Sequence, residues 1–141
     1  TENLTGIAGM SLALELSVSS MEQRRERITR LRDRLRDGIM EAIPGVTFNG
    51  NLNGPSMYQV LNVSFPPHPK GDTLLFHLDI EGVCASGGSA CSSGAESRSH
   101  VLNGIGMAKD RTAVRFSLGS HNTEEEIDRT LMVLRKILLD A

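Results

Sequence analysis

The residues best suited to chemistry cluster in one stretch of this chain, Cys84-Ala85-Ser86-Gly87-Gly88-Ser89-Ala90-Cys91-Ser92-Ser93-Gly94. It holds both cysteines, and no charged or bulky residue interrupts it. Gly and Ser offer a core little to grip, and Gly reaches positive φ at little steric cost, so a backbone of this composition can move. A thiol in such surroundings is accessible and able to travel, as a working nucleophile must be. A thiol used as packing sits instead in an apolar run. One bland reading is a surface loop with an incidental cysteine. A phosphate cradle built from the loop amides is weaker, because neither G-x-x-x-x-G-K-[ST] nor G-x-G-x-x-G is present. Of the two thiols, Cys91 lies between Gly88-Ser89-Ala90 and Ser92-Ser93-Gly94 and is the expected reactive one. Cys84 follows the apolar Val83 at an expected strand end, where burial would raise its pKa and block access, so it reads as packing.

Composition narrows the classes that this loop can serve. A chain of 141 residues, 39% apolar and 23% charged, suits a single domain over 1–141 with a real hydrophobic core. A net charge of −2 creates no field that would attract nucleic acid or an acidic membrane. One C-x6-C pair is neither a disulfide framework nor a zinc site, so free thiols and no metal are expected. No basic leader and no bilayer-length apolar run appear, which favours the reducing cytoplasm, where thiols stay available. The chain opens at Thr1 without a Met, as a fragment would.

The elements that must position the loop follow from periodicity. From Asn3 to about Ser19, Leu4, Ile7, Ala8, Leu12, Leu14 and Leu16 are dense enough for a buried helix, with Thr1 or Asn3 as cap. Ser17, Ser19 and Ser20 suggest a kink. From Met21 a long helix carries the stripe Ile28, Leu31, Leu35, Ile39 and Ile43, ended by Pro44-Gly45. Seven arginines lie off that stripe, from Arg24 to Arg36, but interleaved acids offer pairs such as Glu26 with Arg30. No aromatic residue among them could stack on bases, so a solvated, ion-paired face is expected rather than an RNA surface. Strands are expected at Val46–Phe48, Met57–Phe65 and Thr112–Leu118. Short helices are expected at Thr73–Leu78, capped by Asp72, and at Val101–Met107, with Ser99 near its start. Thr123-Glu124-Glu125-Glu126 opens a last helix whose buried stripe is Ile127, Leu131, Leu134 and Leu138. His77 reads as a partly exposed helix residue. A long helical arm followed by mixed strands and helices is a two-layer α+β pattern.

Three separated stretches coincide with one family. Ser86-Gly87-Gly88-Ser89-Ala90-Cys91 resembles the active-cysteine loop of the group I, longer-loop cysteine desulfurases. Val114-Arg115-Phe116-Ser117-Leu118-Gly119 and Thr123-Glu124-Glu125-Glu126-Ile127-Asp128 resemble the strand and final helix that follow that loop. Thr1-Glu2-Asn3 resembles the end of the Gly-Thr-Glu-Asn turn leading into the helix that joins the family's two domains. The resemblance spans nearly the whole chain but only the C-terminal portion of such an enzyme. It implies the small α+β domain of a fold-type-I pyridoxal phosphate enzyme of the aminotransferase-like superfamily, an antiparallel-type sheet packed on helices with a long N-terminal helical arm.

The resemblance also implies roles. Cys91 matches the nucleophile that takes sulfur from L-cysteine, leaving L-alanine and a persulfide for an acceptor in iron-sulfur cluster assembly or thiolation. Arg115 matches the residue that grips the substrate carboxylate; on residue type alone it is an ordinary strand Arg with a carboxylate partner. Thr1 matches the Thr whose hydroxyl reaches the cofactor phosphate of the partner subunit in a homodimer. The family's cofactor lysine stands in a Ser-x-His-Lys setting upstream, and Lys70, Lys109 and Lys136 lack that context. Pyridoxal phosphate is therefore expected on a large domain absent here, with none bound by this piece. The alternative is a stand-alone sulfur-carrier or docking module without desulfurase activity.

Overall fold

The computed structural model describes residues 1–51, 54–87 and 99–139. Five helices and three strands alternate along the chain in these residues. Helices α1 (Leu4–Ser19) and α2 (Met21–Ala42) come first, then strands β1 (Thr47–Asn49) and β2 (Val60–Phe65). Helices α3 (Leu74–Ile80) and α4 (His100–Gly104), strand β3 (Thr112–Ser117) and helix α5 (Glu124–Leu138) complete the order. The strands form one antiparallel sheet in the order β1-β2-β3. Period-two alternation sends Leu61, Val63, Val114 and Phe116 to one face, where the stripes of α2 and α5 cover them. The α+β, antiparallel architecture matches the sequence expectation.

In α2 and at its C-terminal cap Ile43, the stripe Ile28, Leu31, Leu35, Ile39 and Ile43 is 4% exposed or less, as the spacing predicts. The helix ends before Gly45, whose φ of +77° suits Gly. Gly38 lets α2 and α5 approach closely, since a Cβ there would collide with the Leu131 side chain. Helix α5 opens on a complete capping box: Thr123 Oγ1 accepts from the Glu126 N–H, and the Glu126 carboxylate accepts from the Thr123 N–H. Its buried side chains are Ile127, Val133, Leu134, Ile137 and Leu138, with Leu131 partly buried against the same core.

The arginine face is ion-paired in a pattern of its own. Arg34 grips Asp128 of α5 through two 2.8 Å hydrogen bonds and holds that carboxyl below the usual aspartate range. Arg36 pairs with Asp37 and Asp33. Glu26 and Arg30 form no ion pair among the described residues, and Arg32 is not solvated but buried, its guanidinium on Asp33.

Three expectations shift. The helix from Leu4 to Ser19 forms, capped by Asn3, but every residue in it is exposed, Leu4 at 73% and Met10 at 76%. The chain bends by 62° between α1 and α2, and no residue of α1 joins the hydrophobic core. Strand β2 starts at Val60 rather than Met57, because the Val60 N–H closes a turn onto the Met57 carbonyl. Thr73, not Asp72, is the residue preceding α3. His77 is half-buried as expected. No single helix among the described residues is long and apolar enough to cross a membrane.

Candidate functional site

The alternation that buries Val114 and Phe116 forces Arg115 onto the opposite, outer face of the sheet, where it is exposed. Register then decides its neighbours. Arg115 pairs with Asn62 of β2, Asn62 pairs with Asn49 of β1, and on its other side Arg115 forms an isolated antiparallel bridge with Ser86. Directly paired residues share a face, so Asn49, Asn62, Arg115 and Ser86 make a continuous polar row across the outer sheet.

Hydrogen bonds tie the row together. Asn49 Nδ2 donates to Asn62 Oδ1 at 2.8 Å. The Ser86 N–H donates to the Arg115 carbonyl at 3.1 Å, and the Arg115 N–H returns a bond to the Ser86 carbonyl at 2.6 Å. Arg115 Nη2 also reaches Ser86 Oγ at 3.4 Å. Among the described residues no carboxylate pairs with Arg115. A guanidinium on an accessible sheet face is suited to binding a carboxylate from solution in a two-pronged grip.

Cys91 lies outside the described residues. Its tether is described: Ser86, five residues earlier, is pinned to the Arg115 backbone. Five residues span at most about 18 Å even when fully extended, so the sulfur-bearing residue is leashed to the strand that carries Arg115.

The expectation for Cys84 is overturned. It is a free thiol and exposed. The Gly82 turn, at φ +77°, sends Val83 into the core at 8% exposure, and alternation then turns Cys84 outward. Cys84 lines a cleft with Leu35, Phe116 and Ile127. Thr1 is exposed ahead of the Asn3 cap of α1 and is not part of the polar row. Asn49, Asn62 and Ser86 are not singled out by the sequence as neighbours in the Arg115 row, since only strand register reveals them. Lys70 Nζ donates to the Ile137 carbonyl at 3.3 Å, and Lys136 Nζ pairs with Glu81 at 2.6 Å, holding that carboxyl below its usual range.

The fold defines the class first. It matches a NifS-like protein from Rickettsia africae at TM-score 0.78 and 24% identity, covering 97% of this chain and 35% of that one. A second NifS-like protein matches at TM-score 0.76 and 31% identity, covering 97% and 34%. Both are similar in architecture over about a third of their length.

Residues 1–130 match the model of the Aminotransferase class-V family, and the chain belongs to that family. It is 42% identical over 141 residues to the cysteine desulfurase IscS of Clostridium botulinum, across 98% of this chain and 35% of that protein. It is 37% identical over 140 residues to a cysteine desulfurase of Nostoc sp., again across 98% of this chain and 34% of that protein. The chain thus spans about a third of the length of the curated relatives it matches.

Proposed function

We propose that this chain is the sulfur-handling portion of a cysteine desulfurase, in which Arg115 grips the substrate carboxylate and Cys91 takes the sulfur. The observation that carries the reading is the Ser86–Arg115 bridge, which ties the start of the cysteine stretch to the strand presenting a guanidinium that has no carboxylate partner among the described residues. The cysteine desulfurase names of the relatives support it.

Pyridoxal phosphate, bound by the remainder of the enzyme, supplies the electron sink. Arg115 holds the L-cysteine carboxylate and so sets where the substrate sulfur lies. The Cys91 thiolate attacks that sulfur. An S–S bond forms, the substrate C–S bond breaks with its electron pair going to carbon, and a proton completes alanine. Cysteine and the enzyme thiol thus become alanine and a persulfide. A Ser hydroxyl could neither attack sulfur usefully nor carry it. The Gly-rich loop composition suits a residue that must visit substrate and then a sulfur-acceptor protein. Thr1 is assigned to the cofactor phosphate of a partner subunit in a homodimer.

The division of labour is testable. The 141-residue polypeptide alone should retain no pyridoxal phosphate on dialysis and release no alanine from cysteine, whereas the full-length protein does both. Tight cofactor retention with cysteine-dependent alanine release by the short chain would contradict the assignment.

A further inference from the structure

We propose that Asn62 is a second donor to the substrate carboxylate, working beside Arg115; the inference rests on the carboxylate-gripping role given to Arg115 above. Asn62 is directly opposite Arg115 in the β2–β3 register, on the same outer face. It sits on the central strand between Leu61 and Val63, both 0% exposed, so its backbone is held from below as well as from both sides. Its oxygen is already taken by Asn49 Nδ2 at 2.8 Å on the β1 side. That bond occupies the Asn62 oxygen and uses neither of its two N–H donors. Asn is a poor strand former, and two of them paired on a sheet face give up local preference without apolar burial in return. A carboxylate offers about four lone-pair sites, of which a two-pronged Arg uses two, so an amide donor from the neighbouring strand completes the recognition. Ser86, bonded to Arg115 from the opposite side, keeps the guanidinium within the row.

The competing role is structural: the Asn49–Asn62 bond would only hold the edge strand β1 in place. Two variants of the full-length holoenzyme separate the roles. Asn62→Leu removes the donors and the β1 bond, whereas Asn49→Ala removes the β1 bond and a weak Asn49 Nδ2–Met107 Sδ contact but keeps the Asn62 donors. Asn62→Leu should raise KM for L-cysteine about tenfold while kcat stays within about twofold, the pattern of lost substrate binding. It should weaken calorimetric binding of L-alanine, a carboxylate probe that cannot transfer sulfur, by a similar factor. Asn49→Ala should lower the unfolding midpoint comparably but leave KM and alanine affinity within about twofold of wild type. Equal KM values for Asn62→Leu and wild type, or equal KM increases in both variants, overturn the inference. Arg115→Lys, run alongside, isolates the parent reading. If it impairs kcat/KM while Asn62→Leu does not, only the Asn62 role falls. If it changes nothing, the Arg115 role falls, and that of Asn62 with it.

Discussion

The two faces of the three-stranded sheet carry opposite burdens. On the inner face Leu61, Val63, Phe65, Val114 and Phe116 are 5% exposed or less and pack under α2 and α5. On the outer face the same two strands present Asn62 and Arg115, in a polar row that runs on to Asn49 and Ser86. Adjacent residues of one strand therefore serve different ends: Phe116 holds the domain together, and Arg115 faces solvent without a carboxylate partner among the described residues. Period-two alternation lets a strand of six residues do both. Substitutions on the inner face should break stability, and those on the outer face should break turnover while sparing the fold.

The largest effect should come from the inner face. Phe65→Ala, at 1% exposure, should destabilise the domain by about 3–5 kcal/mol through lost burial and a residual cavity, read by denaturant unfolding. On the outer face, Arg115→Lys should cost about 1.5–3 kcal/mol in kcat/KM of the full-length enzyme with little change in unfolding, because a point charge replaces a two-pronged clamp. An unfolding loss as large as the kinetic one would blur the division between faces. Away from the sheet, Thr123→Ala removes half of the capping box and should cost about 0.5–2 kcal/mol of stability with kcat/KM unchanged.

The smallest effect concerns Asp128, whose folded carboxyl is held low chiefly by its hydrogen bonds to Arg34. Its contribution is fully present above the unfolded aspartate pKa of about 3.9 and is lost as pH falls through the lower folded value. Asp128→Asn should thus be slightly less stable than wild type at neutral pH, and the two unfolding curves should converge in acid.

Much of the inner face was readable from local pattern alone. The three- and four-residue steps of α2 and the Thr123 capping box are short-range signals, and both are found as expected. Helix α1 shows where such reading stops. Dense apolar content indicates a helix that needs cover, but it does not say what supplies that cover, and among the described residues α1 has no buried side chain. Cys84 failed for a related reason: Val83 beside it suggested burial, yet alternation puts neighbours on opposite sides. The Asn49–Asn62–Arg115–Ser86 row was invisible because it joins residues far apart in sequence through strand register, which no local window contains. Cys91 stands out by the composition of its loop and Arg115 only through motif resemblance, which supplies expected roles but not the polar neighbours of Arg115.

The central claim is that sulfur goes to the thiol leashed to the Arg115 strand. Because Cys84 is free and exposed, burial alone does not protect it, and a direct choice between the two thiols is informative. The measurement is peptide-resolved mass spectrometry of the full-length enzyme after incubation with L-cysteine. The account predicts persulfide on Cys91, its loss together with sulfur transfer in Cys91→Ser, and retention of both in Cys84→Ser. Persulfide on Cys84 with none on Cys91 would contradict it.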